Sequence, residues 1–309
     1  MIDQPTVFVL GAGASKDYGF QLGIELTKMI AEWISRSTIA DELQKIFPTP
    51  ELMRAREMAE RLRKVESSVD LWLAQNPQYL MVGRYCIARF IAMTESEENL
   101  FNGKWYGNLF RLLLPSELPA TVERLSANRV TFITFNYDRS LEQALFLKTQ
   151  SMFGVHEARA AAVISRLPII HVHGQVGRLP WQEAVGSLAQ MPQRRYRPKY
   201  DPEELFRAST IRVISETTRE TTEYMLAQRA LLDARRIYFL GFGYDSQNLS
   251  RLRYGTGNSD GRLVQGTHYE LPALQKSLLR NEGGAFGVQI AFDGPSSITT
   301  EYFREMIGA

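Results

Sequence analysis

Short hydrophobic runs that end in glycine or polar residues recur along this sequence and alternate with helical patterns. The runs are TVFVL at 6–10, RVTFITF at 129–135, PIIHVHG at 168–174 and RIYFLGFGY at 236–244. Their β-branched and aromatic residues are typical of buried strands, whereas the stripes between them are typical of amphipathic helices. This alternation predicts an α/β fold, a Rossmann-like parallel sheet with helices on both faces.

Two stretches interrupt the alternation of strands and helices. From about 39 to 127 the pattern is helical throughout, and from about 176 to 235 a segment rich in proline and arginine precedes a long helical stretch. We expect both to be insertions in one domain that spans 1–309. A late apolar run predicts one more strand at 286–292, and a closing helix is predicted at 296–307.

The composition excludes several classes of protein. One cysteine, Cys86, among 309 residues rules out an internal disulfide and a structural zinc site built from the cysteines of one chain. The formal net charge of +2 gives no reason to expect binding to nucleic acid. No apolar run reaches the roughly 18 residues of a membrane span, and the N-terminus lacks a signal-peptide pattern. We therefore expect a cytoplasmic protein that binds no membrane.

The first predicted strand leads into GAGAS at 11–15, which is close to the start of the dinucleotide-binding pattern G-x-G-x-x-G. Gly11 and Gly13 are in place, but Lys16 stands where the third glycine is expected. Because glycine has no Cβ, the backbone here can approach a pyrophosphate, and the next residues can present N–H groups at the start of a helix. The alternative is a tight turn with no ligand. A dehydrogenase does not fit, because the ribose-binding acid expected about 20 residues further on cannot be placed.

Polar residues that follow the later strands are expected at the same edge of the sheet. The Asn136 amide can hold a ribose hydroxyl or a water, and the His173 imidazole is expected to have a pKa suited to proton transfer near neutrality. Asp138 is interpreted as the cap of the following helix. The alternatives are a turn-forming Asn136 and a packed or capping His173. His171 is expected on the same side of the strand as His173, and either supports it or belongs to the core.

Several motifs in this order resemble the sirtuin-like family of NAD-consuming proteins, and more closely its bacterial branch that cleaves NAD in anti-phage defence. They are GAGAS followed by GFQLG, then ITFNYDRSLE, IIHVHG, IYFLGFGYDSQNL and GTHYE, spread from about 7 to 270. The resemblance implies that Asn136 and His173 are catalytic. The NAD-binding residues that it implies are Gly11, Ala12, Gly13, Ala14, Ser15, Asp138, Gly241, Gly243 and Tyr244. SSVD at 67–70 also resembles a family motif, with no chemistry assigned to it.

The same resemblance implies an NAD hydrolase that releases nicotinamide and ADP-ribose, as a regulated NAD-depleting effector in antiviral defence. NAD is then the substrate. Protein-deacylating sirtuins carry a zinc module of four cysteines after the catalytic histidine, whereas this chain has only Cys86, upstream of it. We therefore expect no zinc, and a protein deacylase is the less favoured alternative. The other alternative is a non-catalytic sensor of NAD or ADP-ribose with the same pocket.

Control of such an activity predicts a homo-oligomer, joined by a partner protein such as a defence-system ATPase or sensor. The aromatic residues expected to anchor these interfaces lie in the two insertions and are Trp105, Tyr106, Trp181, Tyr196 and Tyr200. The alternative is that the insertions complete the core of the monomer. The segment QRRYRPKY at 193–200 is interpreted as a solvated loop rather than a surface for single-stranded nucleic acid, so we expect no direct binding to nucleic acid.

Overall fold

A parallel sheet of five strands lies at the centre of the computed structural model, which describes residues 1–36, 40–101, 105–117, 119–213, 221–253, 261–280, 290–292 and 302–303. The strands are β1 (Thr6–Leu10), β2 (Val130–Thr134), β3 (Ile169–His171), β4 (Arg236–Leu240) and β5 (Leu263–Gly266). Their order across the sheet is β3-β2-β1-β4-β5, and every neighbouring pair is parallel. The predicted Rossmann-like α/β fold is confirmed.

The strand order places a crevice between β1 and β4. Chain connections run from β1 to β2 and β3 on one side of the sheet and to β4 and β5 on the other. Leu10, the last residue of β1, is in register with Thr134 of β2 and Leu240 of β4. The loops that follow these three strands therefore start at the same level, at the switch point where α/β proteins bind their ligands.

Both faces of the sheet are buried, because alternate residues of each strand enter different cores. Phe8 of β1 stacks between Phe132 and Tyr238, with ring centroids 5.5 and 5.3 Å away, on the face that the helical segment covers. Val7 and Val9 belong to the core on the opposite face. Strands buried on both faces read as continuous apolar runs, which is the pattern in the sequence.

The described residues between β1 and β2 are mainly helical. The helices are α1 (Ala12–Lys16), α2 (Gly23–Ile34), α3 (Ala40–Gln44), α4 (Thr49–Leu62), α5 (Val69–Gln75), α6 (Leu80–Thr94) and α7 (Trp105–Leu113), with short 3-10 turns at Pro77–Tyr79, Glu97–Phe101 and Val122–Ala127. Nine residues of α6 are buried, which accounts for the apolar residues almost all round this helix. The helical character predicted for this segment agrees with these elements, and its definition as an insertion stays a prediction.

The remaining helices follow the later strands. They are α8 (Ser140–Phe153), α9 (Glu157–Ile164), α10 (Pro202–Ala208), α11 (Thr222–Asp233), α12 (Ser246–Arg251) and α13 (Ala273–Arg280), with a 3-10 turn at Gly186–Leu188. The sequence did not predict β5, which is short and partly exposed. Most of the strand predicted at 286–292 and of the helix predicted at 296–307 lies outside the described residues, although Ala291 pairs with Gln265 of β5. Among the described residues, no helix combines the length and apolar character that crossing a bilayer requires.

The aromatic residues expected at protein interfaces lie inside the monomer. Trp105 and Tyr106 are 1% and 2% exposed, and Trp181 and Tyr196 are also buried. Tyr200 is partly buried and donates a hydrogen bond to Glu42 at 3.1 Å. Their assignment as interface anchors was therefore wrong, because these rings already pack within one chain. The predicted homo-oligomer is left without this support.

A buried ion cluster ties the predicted second insertion to the rest of the domain. Glu95, at the end of α6, accepts hydrogen bonds from Arg139, with Nε–Oε1 2.9 Å and Nη2–Oε2 2.6 Å, and also pairs with Arg194. Arg194 and Tyr196 are buried, whereas Arg195 is exposed. The segment 193–200 is thus not a fully solvated loop, because alternate side chains enter the core.

The loops after β1 and β4 pass each other so closely that only glycine fits at their contact. A Cβ on Gly11 would lie 2.5 Å from the carbonyl oxygen of Gly241, and one on Gly241 would lie 2.2 Å from the backbone nitrogen of Ala14. A Cβ on Gly13 would lie 2.8 Å from the Gly241 Cα. Gly241 also has a φ of 57°, which disfavours other residues. The contact between two loops accounts for these glycines, apart from any ligand.

The absence of the third glycine also has a structural reason. In the G-x-G-x-x-G pattern, the third glycine lets the first helix pack closely on the strand. Here α1 ends at Lys16 after five residues, and the chain turns before α2 begins at Gly23. Position 16 is exposed, so it accommodates a long side chain.

We expect Gly241→Ala to lower the free energy of unfolding by about 2–4 kcal/mol, because the new Cβ clashes with backbone and the residue is held at positive φ. Gly243→Ala is the matched control, since no described atom lies within 4 Å of its Cβ position. Its cost should stay below about 1 kcal/mol. Urea unfolding followed by circular dichroism measures both values. Equal losses in the two variants would contradict the proposed contact.

Candidate active site at the switch point of the sheet

A cavity of ≈ 290 Å³ lies where the strands end. Its lining comes from the loops after β1, β2, β3 and β4 and from the helical segment between β1 and β2. The lining includes Gly11, Ala12, Ser15, Phe20, Ser68, Asp70, Phe135, Asn136, Tyr137, Asp138, His173, Phe242, Gly243, Asp245 and Asn248. The volume is at the lower end of the range for small-molecule sites. Both predicted catalytic residues line this cavity, together with three of the predicted residues of the glycine loop.

The glycine loop holds the side chain of Asn136 in place. Nδ2 of Asn136 donates to the carbonyl oxygen of Gly11 and to Oγ of Ser15, each at 2.9 Å. The Asn136 backbone nitrogen donates to Oγ1 of Thr134 at 3.0 Å. With Nδ2 engaged in this way, Oδ1 makes no hydrogen bond to any described residue and can accept one from a ligand or water.

Asp138 extends this network into the protein. Oγ of Ser15 donates to Oδ2 of Asp138 at 2.7 Å, and the backbone nitrogen of Ser140 donates to Oδ1 at 3.0 Å. The Ser140 hydroxyl also donates to Oδ1. Burial raises the pKa of the Asp138 carboxyl, although these hydrogen bonds oppose the rise. Asp138 was predicted to cap the following helix, and its hydrogen bonds with Ser140 at the start of α8 correspond to that role. Asp138 also holds the Ser15 hydroxyl in place.

Helix α7 fixes the glycine loop from the side of the helical segment. Nε1 of Trp105 donates to the carbonyl oxygen of Ala14 at 2.8 Å, and the backbone nitrogen of Tyr106 donates to the Tyr18 hydroxyl at 2.8 Å. The Tyr106 ring stacks on Tyr18 with centroids 3.9 Å apart, and its hydroxyl lies 2.6 Å from the hydroxyl of Ser140. The sequence predicted α7 as a helix but gave no signal for these long-range contacts.

Two N–H groups of the glycine loop are used within the protein, and one of them, that of Ala14, was expected to bind an anion. The Gly13 nitrogen donates to the carbonyl oxygen of Gly241 at 3.0 Å, and the Ala14 nitrogen donates to that of Gly11 at 2.9 Å. The N–H of Ala12, an exposed residue that lines the cavity, makes no hydrogen bond to any described residue. Binding of a pyrophosphate by this loop stays a prediction.

His171 supports the loop that carries Asn136. Its Nδ1 lies 3.0 Å from the carbonyl oxygen of Asn136, and its Nε2 lies 2.6 Å from Oε1 of Glu142. Burial by itself lowers the pKa of His171, but the Glu142 carboxylate and the Asn136 carbonyl outweigh it and raise the pKa above its ordinary value. Since both ring nitrogens face acceptors, the imidazole donates from both as a cation. Of the two predicted roles, support of the site is the one that these contacts favour.

His173 lies beyond the end of β3, so it does not share a strand face with His171 as predicted. Its side chain is 4% exposed and packs at the edges of Phe135 and Tyr224, with ring centroids 5.4 and 6.0 Å away. The Tyr224 hydroxyl lies 3.4 Å from Nε2, whereas Nδ1 is buried with no hydrogen-bond partner among the described residues.

The pKa of His173 also differs from the sequence prediction. Burial, together with the positive charges of Arg251 and Arg212, lowers this pKa to about 4, while the nearby Asn248 amide opposes the shift without making a hydrogen bond of normal geometry. The predicted pKa near neutrality was therefore wrong, because the sequence does not show how deeply this residue is buried. At neutral pH the imidazole is uncharged.

The three predicted NAD-binding residues of the loop after β4 lie in different environments. Gly241 forms the contact with the glycine loop, and Gly243 lines the cavity. Tyr244 is buried in the core at 2% exposure, and its hydroxyl donates to the carbonyl oxygen of Thr267 at 2.8 Å. Asp245, at the end of this loop, and Asn248, in α12, also line the cavity, although the sequence singled out neither.

Asp70 and Tyr137 are cavity residues to which the sequence assigned no role. Asp70 lies in the first turn of α5, within the SSVD motif, and accepts a hydrogen bond from the Tyr137 hydroxyl. Burial raises the pKa of Asp70, and the bond from Tyr137 opposes the rise. The resemblance singled out this motif without assigning it any chemistry. The contact of its acid with Tyr137 joins residues 67 positions apart, so the local sequence does not indicate it.

A family model described as a SIR2-like domain matches residues 130–277, just under half of the chain. The match begins at β2 and covers the loops of Asn136, His173 and Gly241, but not the glycine loop. It supports a sirtuin-like family, whose members are NAD-dependent enzymes that use NAD as a substrate. No curated protein matches the chain significantly.

We expect the pKa values of the two histidines of the HVH motif to be shifted in opposite directions. His173 should protonate only near pH 4, and His171 should stay protonated above its ordinary pKa of 6.5. Because the folded protein binds a proton at His173 more weakly than the unfolded chain does, the contribution of His173 to stability should fall as the pH decreases from about 6.5 towards 4. NMR titration of the imidazole resonances, assigned with His171→Gln and His173→Gln, measures both values. A His173 resonance that titrates near 6.5 would contradict this assignment.

Proposed function

We propose that this protein hydrolyses NAD to nicotinamide and ADP-ribose in the cavity described above. The proposal depends chiefly on one observation. The Asn136 amide, held by the glycine loop, and the uncharged His173 imidazole line one cavity at the ends of parallel strands. The match to a SIR2-like domain supports NAD as the substrate.

The reaction places modest demands on acid–base chemistry. The bond between the ribose C1′ and the pyridinium nitrogen breaks, and its electron pair leaves with nicotinamide as a neutral molecule. The C1′ centre that remains resembles an oxocarbenium ion and needs positioning and charge stabilisation. A water oxygen bonds to C1′ and its proton is released, which yields ADP-ribose. Water bonded to this centre is strongly acidic, so a weak base is sufficient.

Asn136 and His173 suit these steps. Oδ1 of Asn136 can accept a hydrogen bond from a ribose hydroxyl or from the attacking water, because Nδ2 is already held by Gly11 and Ser15. The neutral His173 can accept a hydrogen bond from the ribose and take up the released proton. Its aromatic neighbours exclude bulk water around it, which strengthens such interactions.

We also propose that this activity depletes NAD in anti-phage defence and is regulated. A homo-oligomer and a partner protein are the proposed means of control. This part is supported by the sequence resemblance alone, since the expected aromatic anchors are buried. Light scattering, together with NAD turnover measured across protein concentration, tests it. A monomer with constant specific activity that is indifferent to partners would remove the case for control by assembly.

We expect Asn136→Ala and His173→Ala each to reduce release of nicotinamide from NAD by about 100-fold or more, because each removes a group that positions the reacting atoms. His156→Ala is the matched control, since this exposed histidine caps α9 and does not line the cavity. Chromatographic quantification of nicotinamide and ADP-ribose measures the rates, and circular dichroism checks the fold. Folded variants with wild-type turnover would refute the catalytic assignment.

We also expect activity without zinc, because the single cysteine of the chain cannot supply a cysteine-based module. Dialysis against a chelator should leave turnover of NAD unchanged, and release of acetate from acetyl-lysine peptides should be negligible. Elemental analysis of the untagged protein is the accompanying measurement. Stoichiometric zinc in an active preparation would contradict the expectation, and robust deacylation would favour the deacylase. Tight NAD binding without turnover would favour the sensor.

A further inference from the structure

A second cavity, of ≈ 630 Å³, shares no lining residue with the candidate active site. It lies between the segment that precedes α10 and the first turn of that helix. Its volume is within the range for small-molecule sites. The charged residues that line it are Arg194, Arg195, Arg197, Lys199, Asp201 and Glu204.

One wall of this second cavity belongs to a buried cluster in which positive charge exceeds negative charge. Arg139 and Arg194 share the single carboxylate of Glu95, and all three side chains are at most 6% exposed. Burial lowers the pKa of Arg194, and the carboxylates of Glu95 and the exposed Glu204 oppose the shift. Because buried charges are costly unless they are paired, one buried carboxylate between two guanidinium groups favours the binding of a further anion.

Arg194 brings this excess charge to the cavity. Its two Nη atoms bind Glu95 and backbone carbonyls, among them that of Ala92 at 3.1 Å. Its Nε is buried and makes no hydrogen bond in the described part of the chain, although the residue lines the cavity. A buried N–H group without an acceptor is costly unless a ligand or water accepts its hydrogen bond. An anion in the cavity can supply both the acceptor and the missing negative charge.

The backbone of the segment before α10 is also prepared for an anion, because buried arginines already occupy several of its carbonyl groups. Nη1 of Arg139 donates to the carbonyl oxygen of Arg194 at 2.8 Å, and Nη2 of Arg194 donates to that of Arg197 at 3.4 Å. By contrast, the N–H groups of Arg195, Arg197 and Lys199 donate to no described residue. Backbone N–H groups that follow one another in a turn and lack acceptors are a common means of binding anions.

Exposed cations surround the same cavity. Arg195, Arg197 and Lys199 are exposed, and none of them forms an ion pair with a described residue. Two acids oppose them, but Oδ1 of Asp201 is already engaged by the backbone nitrogen of Glu204 at 2.9 Å, where it caps α10. Three free cations beside two carboxylates, together with the excess charge of the buried cluster, favour a ligand that carries several negative charges.

The aromatic residues of the segment do not favour single-stranded nucleic acid as this ligand. Surfaces for single strands stack the bases on accessible aromatic rings. Tyr196 is 5% exposed, and Tyr200 is partly buried with its hydroxyl bonded to Glu42 at 3.1 Å. Neither ring is therefore free to stack on a base, whereas a compact anion needs no such ring.

We propose that this cavity is a binding site for a small polyphosphate, either inorganic or the phosphate chain of a nucleotide. Nε of Arg194, the free backbone N–H groups and the exposed cations of the segment are its donors. Hydrogen bonds from charged donors to phosphate oxygens are short and strong, and several of them on one ligand give both affinity and selectivity for multiply charged anions. The site is separate from the cavity proposed for NAD hydrolysis, so each can be tested without the other.

Isothermal titration of the full chain with inorganic triphosphate tests the proposal. We expect the double variant Arg195→Gln/Arg197→Gln to weaken binding by about 10-fold or more, and Lys199→Gln alone by about 3-fold or more, because each removes charged donors. Arg166→Gln/Arg235→Gln is the matched control. It removes the same two charges from exposed residues that line neither cavity, and affinity should stay within about 2-fold of wild type. Circular dichroism checks the fold of every variant.

Titration with ATP distinguishes the two sources of the phosphate chain. Tighter binding of ATP than of triphosphate indicates a nucleotide, and equal affinity indicates recognition of the phosphates alone. Either result supports the site, provided that Arg195→Gln/Arg197→Gln or Lys199→Gln weakens it. Binding of neither compound overturns the proposal, as does equal weakening in the control variant. Tighter binding of an oligothymidylate than of triphosphate, lost in the same variants, overturns it in favour of a nucleic-acid surface.

Discussion

The close contact between the loops after β1 and β4 is the constraint on which the site depends. Gly11 and Gly13 meet the backbone of Gly241 at distances that leave no space for a Cβ, and Gly241 has a positive φ. This contact closes the crevice at its base, where the strand order reverses. It also directs the Gly11 carbonyl and Ser15 towards the next strand, where Asn136 binds both. The glycine pattern is thus first a packing requirement, and any ligand is bound above it.

Long-range hydrogen bonds then hold the loops in position relative to one another. Asn136, Ser15, Asp138 and Ser140 form a continuous network that reaches Tyr106 in the helical segment. Because every member is buried or partly buried, the loss of one partner leaves another polar group unsatisfied, which is costly. The helical segment is therefore part of the site, since it contributes Asp70 to the lining and ties the glycine loop through α7.

Two histidines separated by one residue have pKa values shifted in opposite directions because their neighbours differ. His171 is buried against a carboxylate and a carbonyl and is a cation, whereas His173 is buried among aromatic rings near Arg212 and Arg251 and is neutral. The cation fixes the Asn136 loop, and the neutral ring contributes an unpartnered nitrogen to the cavity. Burial alone lowers the pKa of both residues, so the fixed charges decide the outcome. A site that combines a neutral imidazole, an oriented amide and nearby carboxylates suits a cationic substrate.

Local hydrophobic periodicity was enough to predict four strands, most of the helices and the edge of the sheet where Asn136 and His173 lie. Such patterns repeat over a few residues, so they can be read without knowledge of distant contacts. Contacts between distant residues decided the rest. They buried Arg194, Tyr196 and the supposed interface aromatics, moved Tyr244 into the core, and brought Asp70 to Tyr137. Burial and charge at a site depend on neighbours from many parts of the chain, and for that reason the pKa of His173 and the acidic lining became evident only in the folded structure.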